Sequence, residues 1–307
     1  MRGLVIKSTG SSYIVRMDDG TNVECHIKGN FRIRGIRSTN PVAVGDFVEV
    51  QTLTDGTNWI KEIEERKNYI IRKSTNLSKE SHILAANVDQ VALIVTVNHP
   101  VTSTTFIDRF LATCEAYRVR AILIFNKIDL LTEEERAQMK ELRALYESIG
   151  YRTMEISAIS LQPSAILPLL EGKTTLLSGN SGVGKSTLLN ALFGREMTRT
   201  GKISDAHDKG MHTTTFSEMY FLEMENGRII DTPGIKGFGT IDFEREEVSH
   251  YFREIFHVGH ECRFSNCTHT NEPGCAVQEA LIKGSIAISR YESYLSLLGD
   301  CSESKYR

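Results

Sequence analysis

Two patterns of apolar residues divide the chain. Over residues 1–65 the apolar residues come in short runs, at 3–7, 12–17, 22–27 and 46–50, broken by turn sequences. Short runs bounded by turn residues predict strands. Asp18-Asp19-Gly20 between the second and third runs is a hairpin-turn sequence. Several strands in so short a span predict a small closed barrel; compactness favours an OB-like fold, and an SH3-like barrel fits nearly as well.

From about residue 88 the apolar runs become continuous, at 91–97, 121–125, 154–156, 174–177 and 228–230. Runs without alternation predict parallel strands buried on both faces. Thr132-Glu133-Glu134-Glu135 has a capping-box pattern and opens a helix that runs toward Gly150. Strands alternating with helices over roughly 88–240 predict a doubly wound α/β domain, in which ligands bind beyond the carboxyl ends of the strands. Residues 66–87 read as a polar linker. Beyond about residue 241 the pattern is helical, with apolar residues at helical spacing from Ala276 to Leu298, a break at Gly284 and no extended core of its own. The expected domains are 1–68, 69–240 and 241–307.

Composition fits a folded globular chain: 40% hydrophobic and 24% charged over 307 residues. No apolar run approaches the roughly 20 residues needed to span a bilayer, and residues 1–7 lack a signal-peptide apolar region. A cytoplasmic, non-membrane protein is expected, and nothing demands more than a monomer. The net charge of −3 excludes wholesale coating of nucleic acid. It hides an asymmetry, because residues 1–73 carry 12 Lys and Arg against 9 Asp and Glu, a balance of +3, and the remaining 234 carry −6. Arg32, Arg34 and Arg37 alternate with Ile33, Gly35 and Ile36, either a cationic side facing RNA phosphates or a solvated edge.

The chemistry begins at two strand ends. Gly179-Asn180-Ser181-Gly182-Val183-Gly184-Lys185-Ser186, followed by Thr187, comes directly after the apolar strand 174–177, the setting a phosphate-binding P-loop requires. Backbone N–H groups there are expected to wrap the β-phosphate, with Lys185 neutralising β/γ oxygens and Ser186 as a Mg²⁺ ligand. Asn126-Lys127-Ile128-Asp129 ends another apolar strand. Its aspartate can accept two hydrogen bonds from guanine N1–H and N2–H₂, a pair adenine does not offer; a GTPase is expected, and an ATPase disfavoured. Ser157-Ala158 after the strand at 154–156 suits a further guanine contact through backbone N–H. An ordinary small GTPase has the P-loop first and the Asn-Lys-x-Asp motif later; here they are reversed, the mark of a circularly permuted GTPase.

Asp231-Thr232-Pro233-Gly234 follows the strand 228–230 and reads as the second switch, with Asp231 on Mg²⁺ through water and the Gly234 N–H on the γ-phosphate. The first switch is expected at about 200–215, where His212-Thr213-Thr214-Thr215 offers Thr214 to Mg²⁺. Ile235 stands where many GTPases have a water-positioning glutamine, so slow intrinsic hydrolysis is expected. His212 is the candidate to position that water, with His207 next.

Cys262-x4-Cys267-x-His269-x5-Cys275 supplies three sulfurs and one imidazole, a complete tetrahedral Zn²⁺ shell with no open position and so a structural site. His257 and His260 lie near as alternative ligands.

The barrel, the permuted motif order, His212-Thr213-Thr214-Thr215 and the Cys-x4-Cys-x-His-x5-Cys cluster together resemble the bacterial ribosome small-subunit-dependent GTPase A (RsgA, or YjeQ) family over essentially the full length. The resemblance implies an α/β, circularly permuted P-loop GTPase domain with an N-terminal OB-like β-barrel and a C-terminal helical zinc-binding domain. It further implies GTP/GDP, Mg²⁺ and one structural Zn²⁺ as ligands. The function implied is a late-acting assembly factor of the 30S ribosomal subunit, whose outer domains grip rRNA and whose turnover the subunit stimulates. Met211 departs from the pattern, standing where the family typically has an arginine. The competing reading is an RNA-binding scaffold whose guanine-nucleotide site regulates shape with incidental turnover.

Overall fold

The computed structural model describes residues 1–9, 12–27, 41–73, 81–194, 217–222, 226–232 and 243–303. β1 (Arg2–Ser8), β2 (Tyr13–Met17), β3 (Asn22–Ile27), β4 (Phe47–Thr52) and β5 (Asn58–Ile63) pair in the order β1-β2-β3-β5-β4, and β4 returns to β1. β3 and β5 run parallel and the other pairs antiparallel. A five-stranded ring closed this way is the OB-like barrel, and the SH3-like alternative falls. Alternation turns Tyr13, Val15 and Met17 inward onto Val5, Cys25, Val48, Val50 and Ile60. The expected hairpin turn is present: Gly20 takes φ +86 and Asp19 accepts from the Thr21 N–H at 2.8 Å. β5 was not expected, because Ile60 is its one fully buried residue and no alternation shows.

The polar linker expected at 66–87 needs correction. It carries an antiparallel hairpin, β6 (Tyr69–Lys73) and β7 (Ser81–Ala86), with Ile70, Ala85 and Ala86 buried. Arg66 is buried too, forking onto Asp46 at 2.7 and 2.6 Å and onto the Pro41 carbonyl at 2.6 Å. Its charge is paired inside the fold, which composition cannot distinguish from charge in water.

The α/β unit comprises β8 (Gln90–Val95), α1 (Thr104–Ala116), β9 (Arg120–Phe125), α2 (Glu133–Ser148), β10 (Arg152–Glu155), α3 (Leu167–Leu170), β11 (Thr174–Gly179), α4 (Lys185–Phe193), β12 (Glu218–Leu222) and β13 (Gly227–Asp231). The strands lie in the order β10-β9-β8-β11-β13-β12, all parallel except β12. β8 is buried on both faces. Val91, Leu93 and Val95 meet Phe110 of α1 and Tyr146 of α2, while Ala92 and Ile94 meet the leucines of α3 and α4. The capping box forms as expected, with Glu135 N–H on Thr132 Oγ1 at 3.2 Å and Thr132 N–H on Glu135 Oε2 at 2.9 Å. β12 pairs with β1 through Lys7 and Glu218, so barrel and α/β strands form one eleven-stranded sheet among the described residues. No helix among them is long and apolar enough to cross a membrane.

Past a 3-10 turn at Arg245–Tyr251 come α5 (Arg253–Gly259), α6 (Ala276–Ile282) and α7 (Ile288–Glu303). The break at Gly284 is real: it takes φ +72 just after α6, the left-handed geometry of a helix stop. A core was not expected here, yet Val248, Phe252, Ile255, Val277, Tyr294 and Leu297 form one, completed by Ala112 of α1. It is assembled from the 3-10 turn, two short helices and one face of α7, so no single stretch of sequence carries it.

Candidate guanine-nucleotide site and metal centre

β9, β10, β11 and β13 end at one edge of the sheet, and each end carries a motif. The P-loop leaves β11 at Gly179 and enters α4 at Lys185. Its three glycines have left-handed or other positive φ values, +147 at Gly179, +82 at Gly182 and +99 at Gly184. A Cβ at Gly179 would lie 2.5 Å from the Ile94 carbonyl oxygen, and one at Gly184 would lie 2.3 Å from Asn126 Nδ2. Only glycine lets this backbone close into a cradle of N–H groups at the positive end of a helix. Lys185 Nζ sits inside the loop, donating to the Gly179 and Asn180 carbonyls at 2.7 and 2.9 Å. Burial lowers its pKa and the nearby Asp231 carboxylate opposes that. Ser181, Ser186 and Thr187 are half-buried along the same loop and first helical turn, and Val183 is fully buried.

Asn126 ties the base and phosphate loops together. Its buried amide donates to the Val183 carbonyl at 2.8 Å and accepts from the Ala158 N–H at 2.9 Å. Asn126 thereby joins the ends of β9, β10 and β11, and the Ala158 N–H, expected on guanine, is engaged by it. Lys127 takes φ +63, and its amine reaches across to the His99 carbonyl. Half-buried Ile128 packs on the core, while Asp129 is exposed in the 3-10 turn Ile128–Leu130, open to a base. Asp231 is buried at the end of β13. Ser157 Oγ, Ser178 Oγ and Thr232 Oγ1, all at this edge, are buried hydroxyls without a protein partner among the described residues. Buried hydroxyls of that kind mark a place where a ligand or water completes the hydrogen bonding. Together with the glycine cradle, they fit a bound nucleotide, Ser157 on its base side and Ser178 and Thr232 on its phosphate side. Gly234, Thr214, His212, His207, Met211 and Ile235 lie outside the described residues, as do Arg32, Arg34 and Arg37.

Cys262, Cys267, His269 and Cys275 converge, with ligand atoms within 4.8 Å of one another. Cys262 Sγ lies 3.9 Å from Cys275 Sγ, and His269 Nδ1 lies 3.5 and 3.6 Å from those two sulfurs. The edges of a tetrahedron around Zn²⁺ are about 3.8 Å between sulfurs and about 3.5 Å between sulfur and nitrogen, given its usual bond lengths. The donor set and spacing therefore fit zinc. Burial and the neighbouring thiols push Cys267 up to about 12, a tendency a divalent cation reverses by binding thiolate. His257 and His260 are not in the cluster; His260 packs edge-on against Phe256, ring centroids 4.7 Å apart.

Outer groups hold the metal loop. Tyr291 Oη and Gln278 Nε2 both donate to the His269 carbonyl at 2.7 Å, and Tyr294 Oη donates to the Thr268 carbonyl at 2.7 Å. Burial pushes the Glu272 carboxyl up, but hydrogen bonds from Thr268 Oγ1 and from the Thr268 and Thr270 N–H groups outweigh it and hold the pKa at about 2.

Residues 63–241 match the family described as RsgA GTPase, and residues 2–60 match the RsgA N-terminal domain. The chain belongs to the RsgA GTPase family. It is 60% identical to the small ribosomal subunit biogenesis GTPase RsgA of Phocaeicola vulgatus, over 100% of this chain and 99% of that one. The protein of the same name from Porphyromonas gingivalis is 59% identical over the same shares. Among solved structures, YjeQ from Thermotoga maritima is 33% identical with a TM-score of 0.75, covering 98% of each chain. YloQ, described as a circularly permuted GTPase, is 30% identical with a TM-score of 0.73, covering 100% of this chain and 96% of its own. This RsgA-family chain is accordingly a circularly permuted GTPase.

The loop after β8 carries no recognisable motif. The His99 carbonyl accepts from Lys127, and Pro100 stands beside the P-loop, its Cδ 3.4 Å from where a Cβ at Gly182 would lie. The loop's sequence signal is slight, a proline three residues beyond an apolar run.

Proposed function

We propose that this GTPase binds the small ribosomal (30S) subunit late in its maturation, and that hydrolysis of GTP to GDP and phosphate times its release. The observation that carries the reading is the convergence of the base loop, P-loop and Asp231 at one sheet edge, held together by Asn126. Asp129 recognises guanine, Lys127 and Ile128 shape its pocket, and Ser157 and Ala158 close the far side. Gly179, Asn180, Ser181, Gly182, Val183, Gly184, Lys185 and Thr187 hold the phosphates. Ser186, Thr214 and Asp231 are the Mg²⁺-side residues, and the ion supplies charge neutralisation at the β/γ bridge. The Gly234 N–H senses the γ-phosphate, and His212 orients the water that Ile235 cannot. The zinc held by Cys262, Cys267, His269 and Cys275 is structural. The units 1–68, 69–240 and 241–307 act as RNA-binding barrel, GTPase and zinc domain of a cytoplasmic monomer, the outer two gripping rRNA.

Ile235 favours a second reading, a scaffold with incidental turnover. Co-sedimentation with small subunits separates the two. Retention with a non-hydrolysable GTP analogue and loss with GDP supports timed release; equal retention in both sinks it.

A further inference from the structure

The sheet order β9-β8-β11 brings the loop after β8 out between the base loop and the P-loop. Residues 96–103 thus stand at the centre of the site, though they carry none of its motifs. The loop is closed on itself: Thr96 Oγ1 donates to the Pro100 carbonyl at 2.5 Å, the Thr96 N–H to Thr102 Oγ1 at 3.1 Å, and the Thr102 N–H to the Thr96 carbonyl at 2.9 Å. It is also tied outward on two sides, and Pro100 stands beside the P-loop. Pro100 Cδ would lie 3.4 Å from a Cβ at Gly182. The His99 carbonyl accepts from Lys127 Nζ. Asn98 Nδ2 donates at 2.5 Å to Glu135 Oε1, while the other oxygen of that carboxylate caps α2.

His99 occupies φ +61, a left-handed conformation rare for a residue with a Cβ, and its side chain is exposed. Strain at a residue whose carbonyl fixes a binding lysine marks a conformation kept for its geometry. We propose that the Asn98-His99-Pro100 turn is a positioning wall of the guanine-nucleotide pocket, setting Lys127 on the base side and Gly182 on the phosphate side through backbone geometry. The proposal rests on the nucleotide reading above. A lysine tied at its amine keeps its four-carbon stem extended, and such a stem covers the flat face of a purine.

The test compares H99V with H99G in the full chain, titrating a fluorescent GDP analogue and measuring the thermal midpoint without nucleotide. Both variants lack the imidazole and differ in tolerance of positive φ, which a β-branched residue resists. H99V is expected to bind roughly tenfold more weakly than H99G, because affinity falls with the fraction of chains holding the competent wall. Equal affinities overturn the proposal, whether both match the wild type or both fall together and assign the role to the imidazole. A drop in midpoint with unchanged affinity overturns it as well. If H99V does not fold, Asn98→Ala severs the tie to Glu135 and leaves the α2 cap in place; a several-fold weaker affinity is expected, and an unchanged one refutes the wall. Lys185→Ala separates the two levels. If it binds GDP like the wild type, the nucleotide reading itself fails; if it is impaired while H99V equals H99G, only the wall fails.

Discussion

The Arg290 guanidinium on α7 donates to the Asp108 carboxylate on α1 at 2.8 Å, with neither side chain more than 1% exposed. Arg290 also forks onto Glu254 of α5 at 2.6 and 3.1 Å, and Asp108 accepts from Tyr146 Oη of α2 at 2.9 Å. The C-terminal helices are thus clamped to the GTPase domain by a buried charge network. Removing one member of such a network strands the others without water. Arg290→Ala should destabilise the chain by about 3–5 kcal/mol, and Tyr146→Phe by about 1–2 kcal/mol, measured by urea unfolding. A loss for Arg290→Ala within experimental error would mean that the interface is not clamped here.

Asp89 ties the start of the P-loop strand to the segment before β6. One oxygen accepts from the Thr174 N–H at 2.8 Å and the other from Lys67 Nζ at 2.5 Å. Burial pushes this carboxyl up, but the Lys67 and Thr174 hydrogen bonds outweigh it and hold the pKa below the usual carboxylate range. With the folded value depressed, the unfolded chain takes up the proton first as pH falls. The stabilisation is therefore present above the unfolded carboxylate value and is lost as pH drops through the folded one. The group is partly exposed and screened, so Asp89→Asn should cost only about 1 kcal/mol at neutral pH. Unfolding curves for mutant and wild type should converge in acid; a gap independent of pH contradicts the assignment.

Gly184→Ala tests the contact between P-loop and base loop. The new methyl would lie 2.3 Å from Asn126 Nδ2 at a backbone φ of +99. Clash and strain together should cost about 1–3 kcal/mol of stability and abolish tight GDP binding. A variant that binds GDP like the wild type would show that Asn126 and the P-loop move independently.

One zinc per chain is expected by elemental analysis. Stripping it with a strong chelator, or Cys267→Ser, should lower the thermal midpoint and erase the near-ultraviolet signal of Tyr291 and Tyr294, whose hydroxyls hold the metal loop. The apparent binding free energy of such a site, about 10–16 kcal/mol, makes a mild chelator ineffective. A metal-free chain with an unchanged midpoint and tyrosine signal would assign the four residues no structural role.

The P-loop, the base motif and the cysteine cluster were legible because each concentrates its chemistry in contiguous residues: strand end, glycines, lysine, or four ligands within fourteen positions. What stayed hidden depends on partners far apart in sequence. Arg66 looks like linker charge until Asp46, twenty residues away, is seen to bury it. Asp108 and Arg290 are 182 residues apart, and the core they adjoin draws on Ala112 of α1, far from the rest of that core in sequence. Asn126 was legible as a motif residue, but its role as a strut emerged only with Val183 and Ala158 in place. The turn at His99 gains its meaning from lying between β9 and β11, an order the chain sequence does not contain.

The most direct test of a GTPase that times release from the small ribosomal subunit is GTP turnover by the purified chain, alone and with small subunits, taking large subunits as the control. Slow turnover that rises steeply with small subunits only, by roughly the 10³–10⁵ that a supplied or repositioned catalytic group is worth at most, is the predicted result. Turnover that ignores small subunits while GTP binding remains intact would contradict the account.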